Sequence, residues 1–150
     1  YDVDINMKLK TTTKQKISDS AKPMSVFVKK GSIILTIQGS IGRIALTQYD
    51  SYVDRTLLIF KTFKVPMDKF YFLYLIFLLF EIEKRKAPGG TIKTITKEAL
   101  TLFKLKVPSL PEQQKIAEFL TSIDKVTESK QKQIDNAELW KKGLMQIMFV

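Results

Sequence analysis

Lys84, Arg85 and Lys86 stand in a row at the end of an apolar segment, and a Pro88-Gly89-Gly90 turn leads from them to Thr91, Lys93 and Thr94. Cationic heads attract phosphate oxygens, and small hydroxyl and ammonium donors just after Gly90 are suited to bond a backbone phosphate or a base edge. Each group also has a bland alternative. Basic residues in the last turn of a helix suit the negative pole of its dipole, and a glycine-threonine segment serves equally as a plain connection from helix to strand.

Composition narrows the chemistry further. The 150 residues contain no cysteine and no histidine, which removes thiol nucleophiles, disulfides, imidazole bases and the usual zinc ligands. The absence of cysteine fits an intracellular, cytoplasmic protein. No metal site and no cofactor is expected. Lys and Arg number 25 against 15 Asp and Glu, a net charge of +10, so a polyanion is the expected partner, nucleic acid ahead of an anionic membrane. A lysine-rich composition is the alternative source of that charge. The chain opens on Tyr1 with no charged and apolar leader pattern after it, so no targeting peptide is expected, and the sequence reads as a fragment.

Several elements must position these groups. Residues 1–25 read as loop with one short strand at most. VFV from Val26, a Lys29-Lys30-Gly31 turn and the β-branched SIILTI predict strands; QGSIG at 38–42 breaks the run, RIALT resumes it, and VDRTLLIF predicts another strand. Pro66 and Asp68 then mark the start of a helix through KFYFLYLIFLLFEIEKRK. Its uninterrupted apolar stretch, Phe70 to Phe80, is eleven residues. A bilayer crossing needs about 20, so a core helix under the sheet is expected and a membrane span is not.

LKVPSLPEQQKIAEFL, residues 105–120, changes the architecture. An extended run ends at Pro108, and a helix opens with Ser109 and Glu112 spaced as a capping box and Pro111 in the first turn. Apolar residues then recur in steps of three and four at Ile116, Phe119, Ile123, Val126, Ala137, Trp140, Leu144 and Ile147, widened by Leu120, Ile134 and Met148 and interrupted by Lys130 and Gln133. A helix over 112–148 is about 55 Å long. About two turns of it are expected to rest on the domain. The remainder must pair with another helix, because Trp140, Leu144 and Ile147 are costly to leave in water. Ile123, Val126, Ile134, Ala137, Trp140, Leu144 and Ile147 are therefore the expected pairing face. An antiparallel partner would align its own centre with the polar break at Lys130 and Gln133.

Together these pieces resemble the specificity subunit of type I restriction-modification enzymes. KKGSIILTIQGSIGRIAL resembles the family's strand, glycine loop and strand; GGTIKTI its glycine-threonine segment; VPSLPEQQKIAEFL the opening of its spacer helix; and KKGLMQIMF, 141–149, the end of that helix. The resemblance implies two target recognition domains, each reading half of a split DNA sequence, held apart by two antiparallel helices around which methyltransferase and restriction subunits assemble. Only one such domain and one such helix are present, as in the C-terminal part of a longer subunit or a half-subunit that meets a second copy through its helix.

On that basis the expected fold is α/β: a small twisted, mainly antiparallel sheet domain over 1–108 with a packed helix, followed by a coiled-coil-like helix over 109–150. The expected function is sequence-specific binding of double-stranded DNA without catalysis. Arg or Lys pairs with guanine and Gln with adenine in direct readout, so Gln38, Arg43, Arg85 and Lys93 are candidate base readers, with Ser40 and Thr91 for bases or phosphates and Lys84 and Lys86 for phosphates. An Asn-Pro-Pro-Tyr methyltransferase motif and the glycine-rich cofactor loop that methyl transfer would need are both absent from the sequence. The alternative is a non-catalytic coiled-coil or membrane-associated interaction protein, which leaves the basic, β-rich domain without a purpose.

Overall fold

The computed structural model describes residues 2–149 except 5, 14–15, 39–40, 55, 87–94 and 96–99, and describes Lys86 by its backbone alone. The elements named among the described residues are β1 (Val26–Val28), β2 (Ile33–Thr36), β3 (Ile44–Leu46), β4 (Ser51–Val53), β5 (Leu57–Phe60), α1 (Lys69–Lys86) and α2 (Leu110–Met148). A 3-10 turn over Asp19–Met24 precedes them. β2 is central in a three-stranded antiparallel sheet of order β3-β2-β5, while β1 and β4 pair as a separate antiparallel ribbon.

All four residues of β2 are buried, because the sheet is covered on both faces. Side chains alternate along a strand. Ile33 and Leu35, with Ile44 of β3, therefore face Phe72, Leu73, Ile76 and Phe80 of α1. Ile34 and Ala45 point the other way, toward Val28 and Val53 of the ribbon and Val3 of the N-terminal segment. The result is three layers: helix, sheet, ribbon. A β-branched run that is apolar at successive positions has this packing as its natural outcome.

The sheet is smaller than the sequence pattern suggests. VDRTLLIF is two strands in two different sheets, because the Asp54 carboxylate accepts hydrogen bonds from the Thr56 amide (2.9 Å) and hydroxyl (2.5 Å) and turns the chain between Val53 and Leu57. Among the described residues no strand follows Phe60. Residues 1–25 supply isolated bridges, Val3 with Leu9 and Lys8 with Leu46. Val3 is nevertheless core, only 2% exposed.

Asp68 caps α1 by accepting the Tyr71 amide at 2.9 Å, as its position after Pro66 predicts. The apolar helix buries Tyr71, Phe72, Leu73, Ile76 and Phe80 and leaves Phe70, Phe77, Leu78 and Ile82 exposed. Among the described residues no helix is long and apolar enough to cross a membrane. Ser109 precedes α2 as its N-cap residue but makes no side-chain cap bond, so the capping box legible in the sequence is not formed. The side chain of Gln113 binds this region together instead.

Candidate nucleic-acid interface

The turn between β2 and β3 carries Gln38 and Arg43, and its shape depends on Gly42. Gly42 has φ +82°, and a Cβ there would lie 2.4 Å from the Phe80 ring. Any side chain is excluded by both backbone strain and collision. The Gly42 amide donates to the Thr36 carbonyl at 3.0 Å, and the Thr36 amide donates to the Arg43 carbonyl at 2.8 Å, closing the turn tightly. Phe80 thus seats the turn against α1 about one helical turn before Lys84 and Arg85. Gln38 and Arg43 lie in the turn on either side of this contact, and Lys84 and Arg85 follow Phe80 by about one turn of α1.

Their individual states differ. Gln38 and Arg85 are exposed. Lys84 is half-buried and pairs with Glu81 at 2.7 Å, an i,i+3 contact of the kind that contributes little in water. Arg43 is half-buried, with its Nη1 donating to the Val3 carbonyl at 2.9 Å, so part of its guanidinium anchors the N-terminal segment. Ser40, Gly90, Thr91 and Lys93 lie outside the described residues, as does the side chain of Lys86.

A second basic and aromatic cluster was not legible in the sequence. Phe27 and Tyr52 are partners across the β1–β4 ribbon, with ring centroids 5.4 Å apart, and Lys22 lies 5.9 Å from the Tyr52 ring. Both rings are exposed, since Val28 and Val53 take the buried face. The only sequence signal was two aromatic residues in strands whose pairing was unknown.

The arm is two-faced. Gln113 and Ala117 are buried, and Ile116, Leu120, Thr121, Asp124 and Glu128 are half-buried against the domain. The Tyr74 hydroxyl donates to Asp124 at 2.6 Å, and Lys8 pairs with Glu128. Contact therefore extends over about five turns rather than two, because α1 and α2 begin side by side and run in the same direction. Desolvation, then the hydrogen bond to Asp124, raises the Tyr74 hydroxyl to about 12. From residue 129 to 149 everything is exposed except the half-buried Gly143. Ile123, Val126, Ile134, Ala137, Trp140, Leu144 and Ile147 all lie in the open, on a stripe roughly 150° around the helix from the domain-facing side. At the polar break Lys130 donates to Gln133 at 3.3 Å.

A small layered domain with one long, half-anchored helix defines a class. Residues 4–139 match the family described as the type I restriction modification DNA specificity domain, and the chain belongs to that family. A Methanocaldococcus jannaschii protein, named provisionally as the type I restriction enzyme MjaX specificity subunit, is 31% identical over 128 residues, covering 85% of this chain and 30% of its own. A solved chain from a structural description of complex assembly and conformational transition in the type I R-M system superposes with a TM-score of 0.68 over 97% of this chain and 34% of that one. At 18% identity that likeness concerns the fold. This chain spans about a third of the length of either relative.

Proposed function

We propose that this chain is one target-reading half of a type I restriction-modification specificity subunit, acting without chemistry of its own. It binds double-stranded DNA through the 38–43 turn and the basic end of α1, with Ser40, Lys86, Gly90, Thr91 and Lys93 in the same interface. Gln38 and Arg85 read base edges, Lys84 and Lys86 hold phosphates, and Arg43 divides its guanidinium between Val3 and the target. The exposed stripe of α2 pairs with a second recognition half or a second copy, and methyltransferase and restriction subunits gather on that scaffold in the cytoplasm. The domain divides from its arm near residues 108 and 109.

The observation that supports this reading is the seat of Phe80 against Gly42, which sets the turn between β2 and β3 against α1 about one helical turn before its basic end. Glu81 is a weak competitor for Lys84, since an exposed ion pair is worth at most about 1 kcal/mol and a phosphate offers more charge. The test is the salt dependence of duplex binding. Lys84→Glu with Arg85→Glu is expected to reduce the slope of log affinity against log salt by about 0.9 for each phosphate no longer neutralised. An unchanged slope with undiminished affinity would place the interface elsewhere.

A further inference from the structure

Besides the exposed Lys8–Glu128 ion pair, two polar fixtures tie α2 to α1 and the residues that lead into it. At the root, Gln113 is 1% exposed and its amide is fully used. Its Oε1 accepts the Asp68 amide at 2.9 Å, and its Nε2 donates to the carbonyls of Pro108 at 2.9 Å and Pro66 at 3.3 Å. One side chain thereby ties the first turn of α2 to the residue that caps α1. Further along, the Tyr74 hydroxyl binds Asp124 at 2.6 Å and approaches Thr121 at 3.4 Å.

A pivot and a second fixed point determine a direction. Gln113 and Asp124 are ~16 Å apart along the helix, whereas the distance from Gln113 to Met148 is ~52 Å. The free part of the arm multiplies any error at the second point roughly threefold. A displacement of ~1 Å at Asp124 moves the tip by ~3 Å, close to the ~3.4 Å rise of one base pair.

We propose that Gln113 and the Tyr74–Asp124 pair are spacing-determining residues, fixing the direction in which α2 leaves the reading domain and so the number of base pairs between the two half-sites of a split target. The inference rests on the reading of this chain as half of a split-target reader. It assigns no base contact to these residues. They select the distance at which two reading domains fit DNA simultaneously, and the half-site bases are left to the turn and the basic helix end.

The experiment uses the whole specificity subunit containing this chain, expressed with its methyltransferase partner, and maps modified adenines across a genome. Unsubstituted protein is expected to mark two fixed half-sites at one spacing. Tyr74→Phe and Asp124→Ala are expected to mark the same half-sites also at spacings one base pair longer or shorter. Discrimination between spacings should fall about tenfold, as for the loss of a hydrogen bond to a charged group. Asp124→Asn, which keeps an acceptor oxygen for Tyr74, is expected to restore the single spacing. Gln113→Ala should relax spacing further, but the two milder substitutions decide the matter because the root change also destabilises the domain. Retention of the single spacing by Tyr74→Phe and Asp124→Ala overturns the inference, as does a uniform fall in marking with no new spacing. Marking of a continuous sequence by the unsubstituted protein overturns the split-target reading itself.

Discussion

The two halves of α2 are built from similar residues and meet different fates. Between Leu110 and Glu128 one face is folded into the domain, with Gln113 and Ala117 buried; between Ser129 and Met148 no residue is buried, and Trp140 is 70% and Ile147 79% exposed. Both halves carry an apolar stripe, so hydrophobicity alone does not decide which half is anchored. The difference is polar: the rooted half has Gln113, Asp124 and Glu128 matched to partners on the domain, while the distal half has Lys130 and Gln133 bonded to each other. Apolar stripes make a helix adhesive. Matched polar groups decide where it is fixed.

The strongest way to break this contrast is at the root. Gln113→Ala leaves the Asp68 amide and the Pro66 and Pro108 carbonyls without their buried partner, and each such orphan costs about 1–3 kcal/mol. Part of that is recovered by relaxation and water, so urea unfolding of the domain is expected to lose about 3 kcal/mol. A loss below about 0.5 kcal/mol, the level of an ordinary surface change, would show that the root amide is not a fixture.

A smaller effect comes from pH. The Tyr74 hydroxyl is raised to about 12 in the folded protein, above its ordinary value of 10.0, so the folded state favours the neutral phenol. Its contribution is complete below pH 10, and it is lost as pH rises toward about 12. The site is partly solvated, so screening limits the stabilisation to about 1 kcal/mol. The stability difference between the unsubstituted protein and Tyr74→Phe, followed by denaturant unfolding from about pH 8 to about pH 12, is expected to shrink over that window. Subtracting the variant removes the ionisation common to both, including Tyr49 and Tyr71, whose hydroxyls burial also pushes up.

The smallest effect on stability is expected where the stripe is most apolar. Trp140→Asp with Leu144→Asp should change the unfolding free energy of the domain by less than about 0.5 kcal/mol, since neither side chain is buried against it. The same pair should abolish association with a partner helix, measured by sedimentation. Association that persists beside a collapsed melt would place these residues in the domain core and dissolve the contrast between the halves.

The sequence by itself determined much of this. The SIILTI run, the Asp68 start of α1 and the long period of α2 were legible because each is a local pattern: alternation, a cap after proline, steps of three and four. The family resemblance was carried by motifs at the two ends of α2 and by the glycine loop. The candidate site was half legible, since residue types suited to DNA could be named but not gathered. The pairing of VDRTLLIF into two sheets, the use of the Arg43 guanidinium by Val3 and the exposed Phe27–Tyr52 pair were not legible, because all three depend on partners remote in sequence.

Gln113 marks the boundary most clearly. It lies three, four and seven residues before Ile116, Ala117 and Leu120, so it shares a helix face with them. A glutamine in a helix's first turn nevertheless reads as solvated, and Ser109 with Glu112 offered the more familiar cap. Only the tertiary structure decided otherwise. It brought Pro66, Asp68 and Pro108 to the same point, and a buried amide with those three backbone partners satisfied is a more stable use of that position than a cap facing water. Periodicity specifies which face of a helix turns inward, but most of the polar groups awaiting it there are supplied by a segment more than forty residues away, and their meeting is settled by packing alone.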